Sequence, residues 1–292
     1  MVNLEIGPSL KQSSWGRPAV VNLILGGAGA GFYLLSVLLA ILDRNRFDQA
    51  QLVSFQLLAP AIVCCGFLAL SLEAGRPMRA HHLLRNLPGS WMSIESLAGG
   101  IFIVTALINW FFSYFVFKAV AVSSALILIV SQGFMVYRAA AVTAWNVWFI
   151  PVIFVTSGFM TGCGLVLLNT QMLVGAAYLP VVIFLICVLL NLALWLLYLY
   201  GYYNADFRRA TESMRRFGSL VVTVGAGHLL PLVLILFIVV YEGFKNGFQL
   251  LAVCRVVAGL ALIVGGASQK TGILLRSGYF KGIVLRPVKE EG

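Results

Sequence analysis

Ala19-Val-Val-Asn-Leu-Ile-Leu-Gly-Gly-Ala-Gly-Ala-Gly-Phe-Tyr-Leu-Leu-Ser-Val-Leu-Leu-Ala-Ile-Leu42 contains no charged side chain. A helix needs about 20 predominantly apolar residues to cross the hydrocarbon core of a bilayer. Polar and apolar residues do not alternate here, as they would in a strand of a membrane barrel. The stretch reads as a transmembrane helix. Seven further runs share its character: 52–72, 96–117, 119–138, 147–168, 178–201, 218–241 and 248–268. The third and fourth runs meet at Lys118 with almost no loop. A polar segment precedes the first run, which is also too long for the apolar region of a signal peptide, so no cleavable leader is expected.

Composition agrees. Of 292 residues, 61% are hydrophobic and only 10% charged, against about 25% charged in a soluble domain. The expected fold is an all-α integral membrane protein of eight transmembrane helices, one membrane domain over residues 1–292. A weak repeat divides it. Gly26–Gly31 is followed by Phe-Tyr-Leu-Leu in span one, and Ser157–Gly164 is followed by Leu-Val-Leu-Leu in span five. These lie four spans apart, which predicts two four-helix bundles, residues 1–140 and 141–292.

The charge is lopsided. On the side shared with the N-terminus fall Lys11, Arg17, Arg76, Arg79, Arg85, Arg138, Arg208, Arg209, Arg215, Arg216, Lys270, Arg276, Lys281, Arg286 and Lys289, fifteen in all. The opposite side carries four: Arg44, Arg46, Lys118 and Lys245. The positive-inside rule then predicts cytoplasmic termini in a prokaryotic inner membrane. The net charge of +10 follows from this bias. It gives no sign of nucleic-acid binding, since no basic stretch is interleaved with aromatics on a soluble module.

One dense polar island interrupts the apolar chain, Glu73 to Ser93, with Arg76, Arg79, Arg85, His81, His82 and Trp91. Ionisable groups beside a bilayer are costly, so such a cluster is a functional-site candidate. Haem does not fit it. The chain has three histidines, two of them adjacent, and adjacent side chains cannot clamp one iron between facing helices. The third, His228, lies mid-span at a different depth. Five cysteines, none in a CxxC array, exclude an iron–sulfur cluster held by this chain alone, and no metal site is expected. Arg255 in the last span is expected to pair with Glu242, for structure or as part of a proton route.

Topology adds neighbours to the island: Asn22 in span one, Arg138 ending span four, and Trp145 before span five. A quinone site at the bilayer edge needs a slot for the ring, donors for its carbonyl oxygens and titratable groups to pass protons. Asn22, Glu73, His81, His82 and Trp91 offer that chemistry, with Glu73, His82 and His81 as the proton-passing candidates. Arg76 and Arg138 add positive charge. Gly27 and Gly31 have the spacing for close helix approach, and a gap beside them would admit a flat ring. A solvated positive-inside loop explains the island equally well, and packing explains the glycines.

Several of these residues in order resemble the NrfD/PsrC family, the membrane subunits of polysulfide-reductase-type and related molybdenum or tungsten oxidoreductases. They are Leu25–Gly31, Gly75-Arg76-Pro77, Ser90-Trp91-Met92-Ser93, Trp145-Asn146 with Pro151 and Ser157-Gly158, and Gly225 with Pro231. The resemblance implies eight helices, no prosthetic group, and a ferredoxin-like iron–sulfur partner that docks a molybdenum or tungsten catalytic subunit. It also implies electron exchange with menaquinone or ubiquinone among the first four helices. Asn22 falls where some members place a quinone-contacting residue. The family's tyrosine in span four has no clear match; Ser131 and Gln132 lie nearby. Many relatives dock their soluble subunits outside the cytoplasm, whereas the charge bias here predicts a cytoplasmic partner. A secondary transporter and a purely structural tether remain the alternatives.

Overall fold

The computed structural model describes residues 2–6, 10–12, 15–42, 49–73, 87, 89–168, 178–201, 204–241, 248–280 and 283–287. Six long helices come first: α1 Arg17–Leu42, α2 Gln49–Glu73, α3 Trp91–Phe112, α4 Phe115–Tyr137, α5 Ile150–Leu168 and α6 Tyr178–Tyr200. Two short helices follow, α7 Ala205–Ala210 and α8 Glu212–Arg215. The seventh span is composite: α9 Phe217–Leu220, a π-helical stretch Val221–Leu229, and α10 Leu230–Tyr241. The eighth is α11 Phe248–Thr271, continued by a π-turn Gly272–Arg276. Seven of these spans are long and apolar enough to cross a membrane, and Leu57–Leu72 of α2 is a shorter apolar helix. The chain is a multi-pass helical membrane protein. Two small antiparallel strand pairs bring its terminal segments together, β1 Val2–Ile6 with β4 Ile283–Pro287 and β2 Leu10–Lys11 with β3 Tyr279–Phe280.

The helices pack as two rings. In one, α1 touches α2, α2 touches α3, α3 touches α4, and α4 returns to α1. In the other, α5, α6, α10 and α11 close a second circuit. Helix α5 joins them through α1 and α4. Glycines set that joint. A methyl on Gly162 would stand 2.7 Å from the backbone carbon of Gly31, and one on Gly158 2.8 Å from the Gly27 carbonyl oxygen. On its other face α5 meets α11, where a methyl on Gly164 would stand 2.6 Å from the Gly259 oxygen. Bare backbone lets helices approach where lipid supplies no hydrophobic drive for association. The two glycine-rich spans of the repeat are thus each other's partners.

Three expected boundaries shift. The turn between spans three and four lies at Ser113–Tyr114, and Lys118 sits in the first turns of α4. Ser113 takes a left-handed conformation, φ 51°, and its N–H bonds the Asn109 carbonyl at 2.8 Å, closing α3 as a C-cap does. A lone lysine marks a dip in hydropathy, but its long stem reaches the interface from within a helix. The third span begins at Trp91, five residues early, because the Ser90 side chain caps it by accepting from the Ser93 N–H. Glu95 therefore lies inside the helix. The eighth span runs eight residues beyond 268, to Arg276. Lys270 is consequently a buried bundle residue, 1% exposed, and not part of a basic tail; the N-terminal side loses one of its fifteen cations.

The seventh span widens before Pro231. The N–H of Leu230 bonds the Gly225 carbonyl, five residues back. Proline cannot donate and its ring crowds the carbonyl four residues before it; a wider local turn accommodates both. The stretch carries His228 at its inner face, fully buried.

Candidate functional site

Where α1 crosses the first ring, its glycines leave room on two sides. A side chain on Gly26 would overlap the Gln132 amide, and one on Gly27 would overlap the Lys270 amino group. The gap made by the glycine run is therefore filled by polar side chains from α4 and α11. This is the local reason a greasy helix core can hold them.

They converge on Glu95, which is fully buried. Its Oε1 accepts from Asn22 Nδ2 at 2.9 Å and from Gln132 Nε2 at 3.0 Å. Asn22 and Gln132 are themselves 2% and 0% exposed. Lys270 interacts electrostatically with Glu95, donates to the Leu23 carbonyl at 2.7 Å and lies 5.3 Å over the Phe154 ring. Two buried oxygens in this cluster have no hydrogen-bond partner, Glu95 Oε2 and Gln132 Oε1. An unsatisfied acceptor in a dry interior costs about 1–3 kcal/mol. Asn22 and Glu95 lie in the first turns of their helices, Gln132 and Lys270 in the last turns. All four therefore sit toward the membrane face shared by the N-terminus.

The expected site residues divide. Asn22 and Gln132 meet on Glu95. Gly27 and Gly31 serve the cluster and the α1–α5 joint. Ser131 is buried, but its hydroxyl donates back to the Leu128 carbonyl at 2.8 Å. Trp91 stacks on Phe134 with ring centroids 4.7 Å apart, bridging α3 and α4. Arg138 caps α4 and is exposed. Trp145 lies at the end of the second ring, where it stacks on Trp15 at 5.0 Å and donates to the Ile273 carbonyl at 2.6 Å. Arg76, His81, His82 and the side chain of Glu73 lie outside the described residues, as does Glu242; Arg255 is buried. Among the described residues no three His, Cys, Asp or Glu side chains converge as metal ligands would.

Sequence reasoning missed Glu95 and Lys270. A glutamate two residues past Ser93 was the available signal for the first: it begins an apolar run, and such runs rarely carry a carboxylate. No local signal identified Lys270, which resembles any basic residue at a span's end.

A second buried polar group occupies the second ring. His228 Nδ1 lies 2.6 Å from the Thr223 carbonyl oxygen, and Nε2 lies 2.9 Å from Asn191 Oδ1 and 3.3 Å from Gln269 Nε2. Asn191 donates to Thr156 Oγ1 at 2.9 Å, and Trp195 to Thr223 Oγ1 at 3.3 Å. Gln269 and Lys270 are consecutive on α11, one serving each ring.

The family model described as polysulphide reductase, NrfD, matches residues 8–267. A search of the curated proteins found no match.

Proposed function

Because this chain belongs to the NrfD family of polysulphide reductases, we propose that it is the quinone-interacting membrane anchor of a multisubunit oxidoreductase. It passes electrons between a ferredoxin-like iron–sulfur partner and the quinone pool, the partner in turn docking a molybdenum or tungsten catalytic subunit. The observation that carries this reading is Glu95: one oxygen held by two amides, the other buried without a partner.

The cluster suits a quinone head group. Lys270 has N–H bonds beyond the one given to Leu23, and a protonated Glu95 Oε2 is a donor; both fit carbonyl oxygens. Asn22 and Gln132 fix the carboxyl so that Oε2 presents itself. The Gly26–Gly27 backbone gives Gln132 and Lys270 the room they need to reach Glu95. A bound menaquinone or ubiquinone would supply two-electron, two-proton redox chemistry. Glu95 would hold or release a proton at Oε2, with Lys270 compensating the charge. Tight burial keeps water from competing for these groups.

The basic face shared by the termini supports a cytoplasmic orientation in a prokaryotic inner membrane, with the iron–sulfur partner docked there. The polar island, with Glu73, Arg76, His81 and His82, belongs on that face and would form part of the docking surface. Replacing Glu95 by Gln in the assembled complex tests the site. Quinone-linked turnover should fall sharply while assembly persists. Unchanged turnover would leave a structural tether.

A further inference from the structure

Helix α11 serves two buried polar sites, and the second has a proton inventory that can be worked out atom by atom. Thr223 O is a carbonyl and only accepts, so His228 Nδ1, 2.6 Å away, carries a hydrogen. Across the ring, Nε2 faces Asn191 Oδ1 at 2.9 Å. The oxygen is the atom presented because the other end of that amide, Nδ2, donates to Thr156 Oγ1 at 2.9 Å. Thr156 gives its own hydroxyl proton to Ile153 O at 3.2 Å. Nε2 thus faces one oxygen acceptor, Asn191 Oδ1, and one amide donor, Gln269 Nε2 at 3.3 Å: a neutral ring accepts from the donor, and a protonated ring donates to the acceptor.

From this geometry we infer that His228 and Asn191 form a second proton-binding site, in the second ring, distinct from the Glu95 site. It goes beyond the quinone reading and requires no quinone. The proton binds the Nε2 lone pair, forming one N–H bond that donates to Asn191 Oδ1. On its release, the Asn191 amide turns about its terminal torsion. Nδ2 then donates to the bare Nε2, and Oδ1 accepts the Thr156 hydroxyl. Gln269 has the same freedom: its Nε2 lies 3.3 Å from His228 Nε2, while its Oε1 is buried without a partner. Turning that amide adds a second acceptor to the protonated ring. Both states are thus hydrogen-bonded without moving a helix.

Two further features separate this from a core histidine that is merely satisfied. The wide turn before Pro231 carries His228 inward between two amide side chains, Asn191 and Gln269, and the Thr223 carbonyl. The halves also match span for span: the third and fourth spans supply Glu95 with Gln132, and the seventh and eighth supply His228 with Gln269. The groups facing His228 are Thr223 on its own stretch, Asn191 with Trp195 behind it on α6, and Gln269 on α11. None of these is charged. Lys270, next to Gln269, is the nearest charge-bearing neighbour in sequence, and it points to the Glu95 cluster. Helix α10 has no charged residue.

The test uses the full chain in lipid vesicles without quinone, with its histidine ring nitrogens isotopically labelled, read by solid-state NMR over roughly pH 5–8. Subtracting the His228→Gln spectrum isolates His228 from the other two histidines. The expected result is two protonated ring nitrogens at the acidic end. Asn191→Asp, which presents an oxygen in either orientation, should keep Nε2 protonated over more of the range. Should that variant fail to fold, Gln269→Glu makes the same comparison. A wild-type ring with one N–H, at Nδ1, throughout the range would overturn the inference and leave a structural latch, whatever the ring does beside the new carboxylate of either variant.

Discussion

The amino group of Lys270, near the end of the eighth span, fills the space where a side chain on Gly27 of the first span would stand. That substitution of a cation for a methyl joins the two halves of the chain. Lys270 comes from the second ring, bonds the Leu23 carbonyl of α1 and faces Glu95 of α3. Neither half builds the site alone.

Gly31→Ala, whose methyl would overlap the Gly158 backbone of α5 where no flexible side chain can give way, should destabilise the protein as an overpacked core does, by about 1–3 kcal/mol. Thermal unfolding in detergent measures it. Gly100→Ala is the control, because nothing lies within 4 Å of a methyl there. Equal melting temperatures for the two variants would contradict the packing described.

Glu95→Leu should cost about 1–3 kcal/mol, since it leaves the buried Asn22 and Gln132 amides without their acceptor and removes the charge that attracts Lys270. Adding Lys270→Met should recover part of that loss. Contacting groups show interaction energies of about 0.5–3 kcal/mol in such cycles. Strictly additive single and double variants would show that the two residues do not sense each other.

Asn22→Leu and Gln132→Leu each remove one bond to the Glu95 carboxyl. Hydrogen bonds to charged groups contribute about 1.5–3 kcal/mol, so each variant should lower quinone-linked turnover of the assembled complex roughly 10- to 100-fold. Ser131→Ala is the comparison: its hydroxyl is bonded within α4, and turnover should hardly change. The steady-state rate with a soluble quinol analogue reads both.

A reporter fused at the C-terminus should be active only in its cytoplasmic form. The face shared by the termini keeps its excess of basic residues even with Lys270 withdrawn into the bundle, and short-loop arginines and lysines govern insertion. An active periplasmic reporter would invert the orientation and move the docking partner with it.

The seam between α1 and α5 makes a separate prediction. Gly162→Val should separate the rings, because even a methyl would meet the Gly31 backbone at 2.7 Å. Loss of the folded monomer in detergent is the expected outcome. Retention of a wild-type melting curve would mean the helices do not cross there.

Helix count, membrane class and family were legible in the chain because each depends on local properties: run length, hydropathy, and glycines at fixed spacing. Even the pairing of spans one and five had a trace, since two glycine-rich helices four spans apart suit each other's bare backbone. The capping that moved the third span's start to Trp91 was written in Ser90, but it took the helix itself to place Glu95 inside.

What only the tertiary structure decided is the company each polar residue keeps. Asn22 and Gln132 are separated by 110 positions, yet they donate to one oxygen of Glu95. Lys270 reads as one more basic residue at a span's end; it becomes a buried partner because the eighth helix continues to Arg276 and Gly27 leaves it room. His228 stands alone in its span until Asn191 and Gln269 arrive from α6 and α11. Hydropathy sums residues along one helix, whereas a buried polar group is tolerated or not by what the other helices bring to it. That information is distributed over the whole chain and is read out only when the rings close.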